Sequence, residues 1–247
     1  MKLLKLFASF KSAESKHKCP ICGSTDFGPY NNRPLAQCKR CKSLERGRLL
    51  WMSMDRLGAL PQKPMRVLHI APEVFFIARL HKLYGDDYRP MDIEPTRYKN
   101  RYCEVERIDL CSDLNRFESE SFDLIIHNHV LEHIPCDVAS VLTELNRILA
   151  VDGMHFFSVP FRRGVTRENL STALSEEERI KQFGQADHLR IFGTDDFLDY
   201  LAQHFGTSFI RFDPLIYVTE NDIKRANIQV ESLARLDGNS IFYYKKP

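Results

Sequence analysis

The chain has 247 residues, of which 43% are hydrophobic and 28% charged, and this length fits one sizeable globular domain or one domain with a small addition. No apolar run reaches the length of a transmembrane helix. The first eleven residues have a lysine inside their apolar stretch and no small-residue cleavage site, so they make a poor secretory signal. Seven cysteines without such a signal favour a reducing, cytoplasmic compartment.

The charge is distributed unevenly along the chain. Residues 1–66 hold 14 basic and 4 acidic side chains, whereas the remainder holds 21 basic and 29 acidic ones. A basic front end on an acidic body suggests an anionic partner, such as nucleic acid, a phosphorylated glycan or a membrane surface. A solvated basic surface without a partner explains the pattern equally well.

Residues 1–18 are predicted to form a separate basic segment. Leu3, Leu4, Phe7 and Phe10 would lie on one side of a short amphipathic helix. Packing of this helix on its own domain or on a partner is one interpretation, and peripheral membrane contact through residues 1–11 is the other.

Four cysteines form two C-x-x-C pairs, Cys19 with Cys22 and Cys38 with Cys41, and fifteen residues lie between the pairs. Each pair can present two thiolates to one ion, and the spacing falls in the range of zinc ribbons. Four sulfur ligands fill a tetrahedral shell, so this zinc is expected to be structural. The intervening loop is too small and polar for a core of its own. Metal binding, worth on the order of 10 kcal/mol, would therefore supply much of its folding energy.

A helix is predicted directly after the second cysteine pair, which gives a ribbon with its helix over residues 19–58. Ser43 is the expected cap of this helix, and Gly58 would end it. Four basic side chains lie near the exit from the ribbon: Arg40, Lys42, Arg46 and Arg48. The prolines within residues 59–64 mark a linker. The remaining cysteines are expected to be ordinary buried or half-buried thiols: Cys103, Cys111 and Cys136.

Residues 65–247 alternate between strand and helix patterns, which predicts a parallel sheet with right-handed crossovers. Strands are expected at 66–70, 88–91, 105–108, 122–127, 154–159, 207–212 and 240–245. Helices are expected at 73–84, 138–150 and 195–205. The segment 161–192, which follows the fifth strand, is predicted to be a lid.

The segment 121–135 is compatible with two different chemistries. His129, Glu132 and His133 spell H-x-x-E-H, a zinc-peptidase pattern that needs both histidines on one helical face. However, a buried strand precedes them, and Pro135 disfavours helical angles at the residue before it. A loop at the carboxyl edge of a sheet, where an α/β fold holds its cofactor, is therefore the favoured interpretation.

Two acidic residues follow strands at positions that suit a nucleoside. Asp92 ends the second strand, the usual place for a carboxylate that binds ribose hydroxyls. Asp109 ends the third strand, where it could accept the adenine amino group while Leu110 packs on the ring. Taken singly, each aspartate is more often a turn former or a helix cap.

Together these motifs resemble class I S-adenosylmethionine-dependent methyltransferases, in particular the type-11 branch, over residues 65–212. The resemblance depends on VLHIAPE, MDIEP, RIDL, SFDLIIHNHVLEHIP and RILAVDGMHFFSVP at the first to fifth strands. It implies a Rossmann-like, mostly parallel seven-stranded sheet with helices on both faces, and S-adenosylmethionine as the cofactor. It also implies that Asn128, His129, Glu132 and His133 line the methionine end of the cofactor and do not bind metal.

The first loop departs from the family's acid-x-Gly-x-Gly-x-Gly pattern. His69, Ala71, Glu73 and Phe75 stand at its key positions, although glycines there let the backbone approach the cofactor. The first three are assigned to the cofactor site, because Ala71 is small and Glu73, at a helix start, could bind the cofactor's ammonium group. The alternative is a degenerate domain that no longer binds the cofactor.

The predicted lid contains FGQADHLRIFGTDDF, which resembles the family's H-x-R-[FY] segment. Asp187 and His188 are the candidates for a base that activates an acceptor hydroxyl, since a histidine oriented by a carboxylate suits this task. Alternatively, His188 and Arg190 only fix the lid, for example to Asp195 or Asp196.

The leading hypothesis is a methyltransferase that acts by in-line displacement on an oxygen of a carbohydrate or another small polar acceptor, by analogy with family relatives that carry a ribbon. One alternative is an RNA methyltransferase whose basic ribbon binds phosphates, with only Phe27 and Tyr30 nearby for base stacking. Another is a non-catalytic ribbon module on a degenerate methyltransferase scaffold.

Overall fold

The computed structural model describes residues 17–60, 65–206 and 209–247. Nearly all of the predicted basic segment 1–18, most of the predicted linker and the first two residues of the strand predicted at 207–212 lie outside these ranges. Across the described part of the chain, no helix combines the length and the apolar character needed to span a membrane.

The ribbon is an antiparallel hairpin followed by a helix: β1 (Phe27–Tyr30), β2 (Arg33–Cys38) and α1 (Glu45–Arg56). Leu44 stands at the N-cap of α1 and makes no side-chain cap bond. The prediction of Ser43 as the cap is therefore wrong. The Ser43 hydroxyl contacts the sulfur atoms of Cys19 and Cys41 instead, because residue 43 lies one position too early to reach the helix start.

Strands and helices alternate after the ribbon: β3 (Val67–Ile70), α2 (Val74–Tyr84), β4 (Tyr88–Asp92), β5 (Glu106–Arg107), β6 (Phe122–Asn128), α3 (Val138–Ile148) and β7 (Leu149–Ser158). The next segment contains β8 (Phe161–Arg162), β9 (Arg167–Glu168), α4 (Glu176–Phe183) and β10 (Arg190–Gly193). The last elements are α5 (Phe197–Phe205), β11 (Phe209–Arg211), α6 (Glu220–Arg225) and β12 (Phe242–Lys245).

Seven strands form the main sheet in the order β11-β12-β7-β6-β3-β4-β5. The five strands from β7 to β5 are parallel, whereas β12 is antiparallel to both of its neighbours. The predicted Rossmann-like, mostly parallel seven-stranded sheet is thus confirmed. Because the parallel strands end at one edge, the loops after β3, β4, β5 and β6 come together there.

Buried side chains alternate between the two faces of the sheet, as expected for strands covered on both sides. Val67 and Leu68 of β3 are both fully buried, but they belong to separate hydrophobic clusters. Helices α1, α2 and α6 contribute to the first cluster, and α3 and α5 contribute to the second. Each large apolar side chain buried in this way adds about 2 kcal/mol.

The ribbon shares the first of these clusters with the sheet. Gly47 of α1 packs so closely on α2 that a β-carbon at this position would lie 2.4 Å from the ring of Phe75. Trp51 stacks on Phe76, with ring centroids 5.7 Å apart. The position of the ribbon is therefore fixed by direct packing on the helix that follows the first loop.

Arg48 in α1 is fully buried, and its guanidinium donates to four backbone carbonyl oxygens of the described chain. Two of these belong to the ribbon, at Ser43 (2.8 Å) and Ala36 (3.1 Å). The other two, both at 2.7 Å, belong to Ala226 and Asn227 after α6. Arg48 thus joins the ribbon to a segment that lies far along the chain.

The predicted lid contains its own small sheet. Strand β10 pairs in parallel with β8 and antiparallel with β9. Helix α4 starts with a capping box between Ser175 and Glu178 and ends at Gly184, whose φ of 93° is one that glycine adopts easily. Local signals therefore give the lid a defined structure.

Two histidines, His127 of β6 and His155 of β7, lie side by side in the sheet, with ring centroids 4.9 Å apart. Both are buried, and both ring nitrogens of His127 and Nε2 of His155 lack a hydrogen-bond partner among the described residues. Burial lowers the pKa of His155 to about 3 and lowers that of His127 well below its ordinary value. Both rings are therefore neutral in the folded protein.

Cys111 and Cys136 form a disulfide, with their Cα atoms 5.9 Å apart. The prediction that they are free thiols is wrong, because the loop after β5 and the loop before α3 meet at the same edge of the sheet. Sequence spacing could not show this contact. Cys103, in contrast, is a half-buried free thiol, as predicted.

Candidate active site

A cavity of about 520 Å³ lies at the carboxyl edge of β3, β4, β5 and β6. This volume is in the range of small-molecule sites. The predicted site residues that line the cavity are Ala71, Asp92, Asp109, Leu110, His129, His133 and Asp187. Residues that the sequence did not indicate also line it: Ile93, Glu94, Arg97 and Ile108.

Asp92, at the end of β4, is the carboxylate at the predicted ribose position. It is only 2% exposed, and its Oδ1 accepts a hydrogen bond from the backbone of Glu94 at 2.8 Å. Its Oδ2 accepts from Arg97 at 2.7 Å and from the hydroxyl of Tyr98 at 2.6 Å. Because the Arg97 side chain is 54% exposed, it can move aside while Asp92 stays in place. A ribose would therefore compete with Arg97 for a fixed carboxylate.

The neighbouring part of the cavity is apolar and suits a flat ring. Ile108 and Leu110 line it, together with Asp109. The Asp109 carboxylate accepts from the backbone of Cys111 at 2.9 Å, which fixes its orientation. Branched apolar side chains and one oriented carboxylate thus lie together here, and their role at an adenine ring stays a prediction.

Two cavity residues other than glycine have left-handed backbone angles, Ala71 with φ of 49° and His129 with φ of 51°. Residues with a β-carbon pay a strain cost of order 1 kcal/mol in this region. Ala71 stands where the family pattern has glycine, so the glycine-like backbone is kept although the glycine is not. The small Ala71 side chain leaves room for a ligand to approach the loop.

Three predicted site residues lie behind the cavity wall as a hydrogen-bonded chain. His69 contacts Glu73 at 3.0 Å, and Asn128 donates to the other Glu73 oxygen at 2.7 Å. The Ser158 hydroxyl donates to Asn128 at 2.7 Å. Burial alone would raise the pKa of Glu73, but these contacts and the charges of His69 and Arg46 lower it below its ordinary value.

The H-x-x-E-H residues lie in a bend and a turn, not in a helix. His133 closes this turn by donating its backbone N–H to Val130 at 3.0 Å. The single helical face that a zinc peptidase needs is therefore absent, as Pro135 predicted. Glu132 is fully buried, with one oxygen 3.2 Å from Nδ1 of His129 and 3.9 Å from Nε2 of His133.

The two predicted catalytic residues of the lid point to different partners. Asp187 contacts Nδ1 of His133 at 3.3 Å, so it orients His133 and not His188. His188 is 2% exposed, it contacts the carbonyl of Phe183 through Nδ1 at 3.2 Å, and it does not line the cavity. Burial is the main cause that lowers the pKa of His188. His188 is therefore not in direct contact with the cavity, and its assignment as a base stays a prediction.

Arg190 fixes the lid, but not through Asp195 or Asp196. Its guanidinium donates to the carbonyls of Leu131, Ile134 and Cys136 and pairs with Glu168 at 2.6 Å. The lid is thereby attached to the turn that carries His129 and His133.

Arg46 of α1 is a further charged group, and it lies close enough to Glu73 and Glu132 to respond to their charges. Burial lowers the pKa of Arg46, while the charges of Glu73 and Glu132 raise it. Among the described residues, Arg46 has no ion pair within 4.0 Å. The ribbon helix therefore brings a cation close to the half-buried Glu73 and the buried Glu132.

The cysteine cluster (Cys19, Cys22, Cys38 and Cys41) has four sulfur atoms within 4.8 Å of one another. The carbonyl of each leading cysteine, Cys19 and Cys38, accepts an N–H four residues later at 2.8 Å. That later residue, Gly23 or Lys42, has a positive φ of 74° or 68°. Both C-x-x-C pairs thus form the same tight turn, which presents four sulfur atoms to a common centre.

The class of the protein follows from the fold, the cavity and a domain match. Residues 72–157 match the family model of the methyltransferase domain, from the first loop to β7. The carboxylate at the end of β4 and the apolar side chains after β5 line one cavity at the carboxyl edge of this sheet. The chain is an S-adenosylmethionine-dependent methyltransferase.

Several solved methyltransferases have a similar arrangement. One from Mesorhizobium loti is 13% identical, with 78% of this chain and 96% of that chain covered and a TM-score of 0.49. One from Archaeoglobus fulgidus is 18% identical, with coverages of 81% and 94% and a TM-score of 0.47. The Haemonchus contortus phosphoethanolamine N-methyltransferase 2 is 13% identical, with coverages of 79% and 52% and a TM-score of 0.47. No curated protein sequence matches the chain.

Proposed function

We propose that this enzyme transfers the methyl group of S-adenosylmethionine to a hydroxyl oxygen of a carbohydrate or another small polar acceptor. The supporting observation is the lining of the cavity next to the first loop. There the exposed groups are the imidazoles of His129 and His133 and the carboxylate of Asp187, whereas aromatic rings for base stacking are absent from the cavity lining. Such a surface can bind and orient hydroxyl groups.

The cofactor, when bound, supplies an electrophilic methyl group, and the protein has to align the acceptor and exclude water. Asp92 would hold the ribose, Asp109 and Leu110 the adenine, and Ala71 would let the methionine part pass close to the backbone. Arg190 attaches the lid to the turn around Leu131, and Asp187 of the lid lines the cavity. The assignment of His188 as a general base oriented by Asp187 stays a prediction. The histidine that the Asp187 carboxylate contacts is His133.

We further propose that the cysteine cluster holds a structural zinc ion. With a Zn–S distance of about 2.3 Å, tetrahedral geometry requires sulfur atoms about 3.8 Å apart. The Cys19–Cys41 and Cys22–Cys38 sulfur distances are 3.7 and 3.5 Å, which fits. The buried cation of Arg48 lies close enough to respond to the charges of Cys19, Cys38 and Cys41. It would offset the negative charge of four thiolates around one zinc.

A small acceptor is favoured over RNA by what the structure does with the ribbon's basic and aromatic side chains. Arg48 is buried and bound to carbonyl oxygens, and Arg46 is close enough to Glu73 and Glu132 to respond to their charges. Of the two aromatic residues named for base stacking, Phe27 is buried and only Tyr30 is exposed. The surface available for phosphates and bases is therefore smaller than the sequence composition suggests.

The first test of this function is calorimetric binding of S-adenosylhomocysteine to the full chain. Asp92→Asn keeps the size of the side chain but removes the charge that accepts hydrogen bonds from the ribose, so at least tenfold weaker binding is expected. Asp86→Asn, the same change at an exposed position outside the cavity, serves as the control and should bind normally.

The second test is a transfer screen with labelled cofactor against nucleotide sugars, cell-wall glycans and RNA. The expected product is an alkali-stable methyl ether on a sugar, which distinguishes it from a methyl ester. Label that enters only RNA, or a wild-type chain that does not bind the cofactor at all, would contradict the proposal.

A further inference from the structure

Glu132 is a buried carboxylate without adequate partners. It is fully buried, and neither of its oxygens has a hydrogen-bond donor among the described residues. Arg46 is near enough to influence it electrostatically, but no ion pair within 4.0 Å joins them in the described structure. A buried charge of this kind normally requires a cation or a set of donors in direct contact.

Two imidazoles face this carboxylate, and each is held by its outer nitrogen. Nε2 of His129 lies 2.9 Å from the carbonyl oxygen of Gly238, and Nδ1 of His133 lies 3.3 Å from both the carbonyl and the carboxylate of Asp187. Since these oxygens only accept, the outer nitrogens carry the protons. In a neutral ring, the inner nitrogen then has a free lone pair directed towards Glu132.

A third imidazole, from the lid, is arranged in the same way. Nδ1 of His188 donates to the carbonyl of Phe183 at 3.2 Å. The His188 ring lies edge-on to that of His133, with centroids 4.8 Å apart. One ligand atom from each of Glu132, His133 and His188 can be chosen so that all three lie within 4.8 Å of one another. Histidines whose outer N–H is held by a carbonyl or a carboxylate are typical of metal sites.

The geometry points to a divalent-cation site formed by Glu132, His133 and His188 (the histidine–glutamate cluster), with His129 beside it. Two imidazoles and one carboxylate suit a first-row ion such as Mn²⁺, Fe²⁺, Co²⁺ or Zn²⁺. His129 and His133 line the cavity, so the remaining coordination positions would face the acceptor. This site differs from the excluded zinc-peptidase pattern. Its second histidine ligand is His188, which comes from the lid and not from the next turn of a helix.

The role of this ion rests on the proposed O-methyl transfer. An acceptor hydroxyl bound to the cation loses its proton to solvent more easily than a free hydroxyl. The oxygen then forms a bond to the sulfonium methyl carbon, the carbon–sulfur bond breaks, and its electron pair stays on sulfur. The products are a methyl ether and S-adenosylhomocysteine, so no further reactant is needed.

The test measures binding of Mn²⁺ to the full chain with zinc already in the cysteine cluster, by electron paramagnetic resonance of the free ion. One equivalent of bound Mn²⁺ is expected for the wild type. Glu132→Gln and His133→Gln should weaken binding at least tenfold. The matched controls Glu118→Gln and His204→Gln, which make the same changes at exposed positions outside the cluster, should bind as the wild type does.

Co²⁺ provides a second readout that separates the two sites. Co²⁺ bound by imidazole and carboxylate lacks the thiolate charge-transfer absorption that Co²⁺ in the cysteine cluster shows. A wild-type chain that takes up no ion beyond the cysteine cluster would overturn the inference, and Glu132 would then be balanced by protonated imidazoles. Unchanged binding in a correctly folded Glu132→Gln variant would overturn it as well. The wild-type stoichiometry decides the matter even if that variant does not fold.

The outcome for the metal site is separable from that for the proposed function. If S-adenosylhomocysteine binds equally well before and after chelation and no Mn²⁺ binds, the inference fails and the methyltransferase function stands. If Mn²⁺ binds as expected and no hydroxyl compound is methylated, the site stands and the proposed acceptor class fails.

Discussion

The cysteine cluster and the histidine–glutamate cluster differ in the part of the molecule that holds their ligands in place. Each cysteine pair lies in one tight turn, closed by a hydrogen bond to the carbonyl of Cys19 or Cys38. The imidazoles of His133 and His188, in contrast, are oriented by residues of the lid, and His129 is oriented by Gly238. A local frame and an ion are enough to form the first cluster, whereas the second requires the folded sheet and lid.

This difference predicts opposite responses to metal. Removal of the ion should unfold the ribbon, because the hairpin has little core of its own. Removal of an ion from the histidine–glutamate cluster should leave the fold intact, because its ligands are attached to a sheet with two hydrophobic clusters.

The largest expected effect comes from Cys38→Ser. Cys38 is fully buried in the cysteine cluster, so the variant should lose its zinc and a large part of the binding free energy, which is on the order of 10 kcal/mol. Zinc content by mass spectrometry and thermal unfolding measure the result. The matched control is Cys103→Ser, a half-buried thiol outside the cluster, which should keep one zinc per chain. Full zinc content in Cys38→Ser would show that the four sulfur atoms do not hold the ion.

Acid should act on the sheet itself, through the buried His127 and His155. The pKa of His155 is about 3 in the folded chain and about 6.5 in the unfolded chain, so only the unfolded chain takes up a proton between these values. Stability from this group is therefore present above pH 6.5 and falls as the pH drops towards 3. Between pH 6.5 and pH 5, proton uptake at His155 in the unfolded chain should cost about 1.6 kcal/mol of stability, and His127 acts in the same direction.

Denaturant unfolding at these two pH values tests this expectation. Because acid also protonates thiolates, the comparison needs a variant that changes the sheet alone. His155→Phe should remove part of the pH dependence and leave zinc release unchanged. If the variant loses as much stability between pH 6.5 and pH 5 as the wild type, the buried histidines are not the cause.

The smallest expected effect is at Ala71. With φ of 49°, Ala71 pays a backbone strain that glycine avoids, so Ala71→Gly should raise the unfolding free energy by up to about 1 kcal/mol. In the ribbon, the turn after Cys22 has glycine where φ is positive, at Gly23 with φ of 74°. Ala202→Gly, in the exposed face of α5, is the control and should lower stability by about 1 kcal/mol. Equal destabilisation in both variants would refute the strain at Ala71.

Features encoded by neighbouring residues could be predicted from the sequence. The run from Phe122 to Ile126 is apolar on both faces, which predicts a buried parallel strand, and Asp92 follows a strand at the spacing of a ribose-binding acid. Pro135 disfavours helical backbone angles at the residue before it, which argues against a helical zinc-peptidase site. In each case, a few adjacent residues determine the local backbone.

Features that depend on contacts between distant segments could not be predicted. Cys111 and Cys136 are 25 residues apart in sequence and meet only because two loops end at one sheet edge. The isolated charge of Glu132 is not visible in the LEH triplet, since burial depends on the packing of the lid. The sequence places Arg48 among the basic residues near the exit from the ribbon, although its guanidinium donates to internal carbonyl oxygens. Amino-acid type alone does not show whether a charge faces solvent.

The contacts of Arg48 also have a consequence for how the protein is made. Two of its four carbonyl acceptors, at Ala226 and Asn227, lie 178 and 179 residues further along the chain. At 5–20 residues per second, the ribosome needs roughly 10 to 35 seconds to synthesise that distance. The ribbon therefore emerges from the ribosome before the segment after α6, and until that segment follows, the guanidinium of Arg48 lacks half of its acceptors.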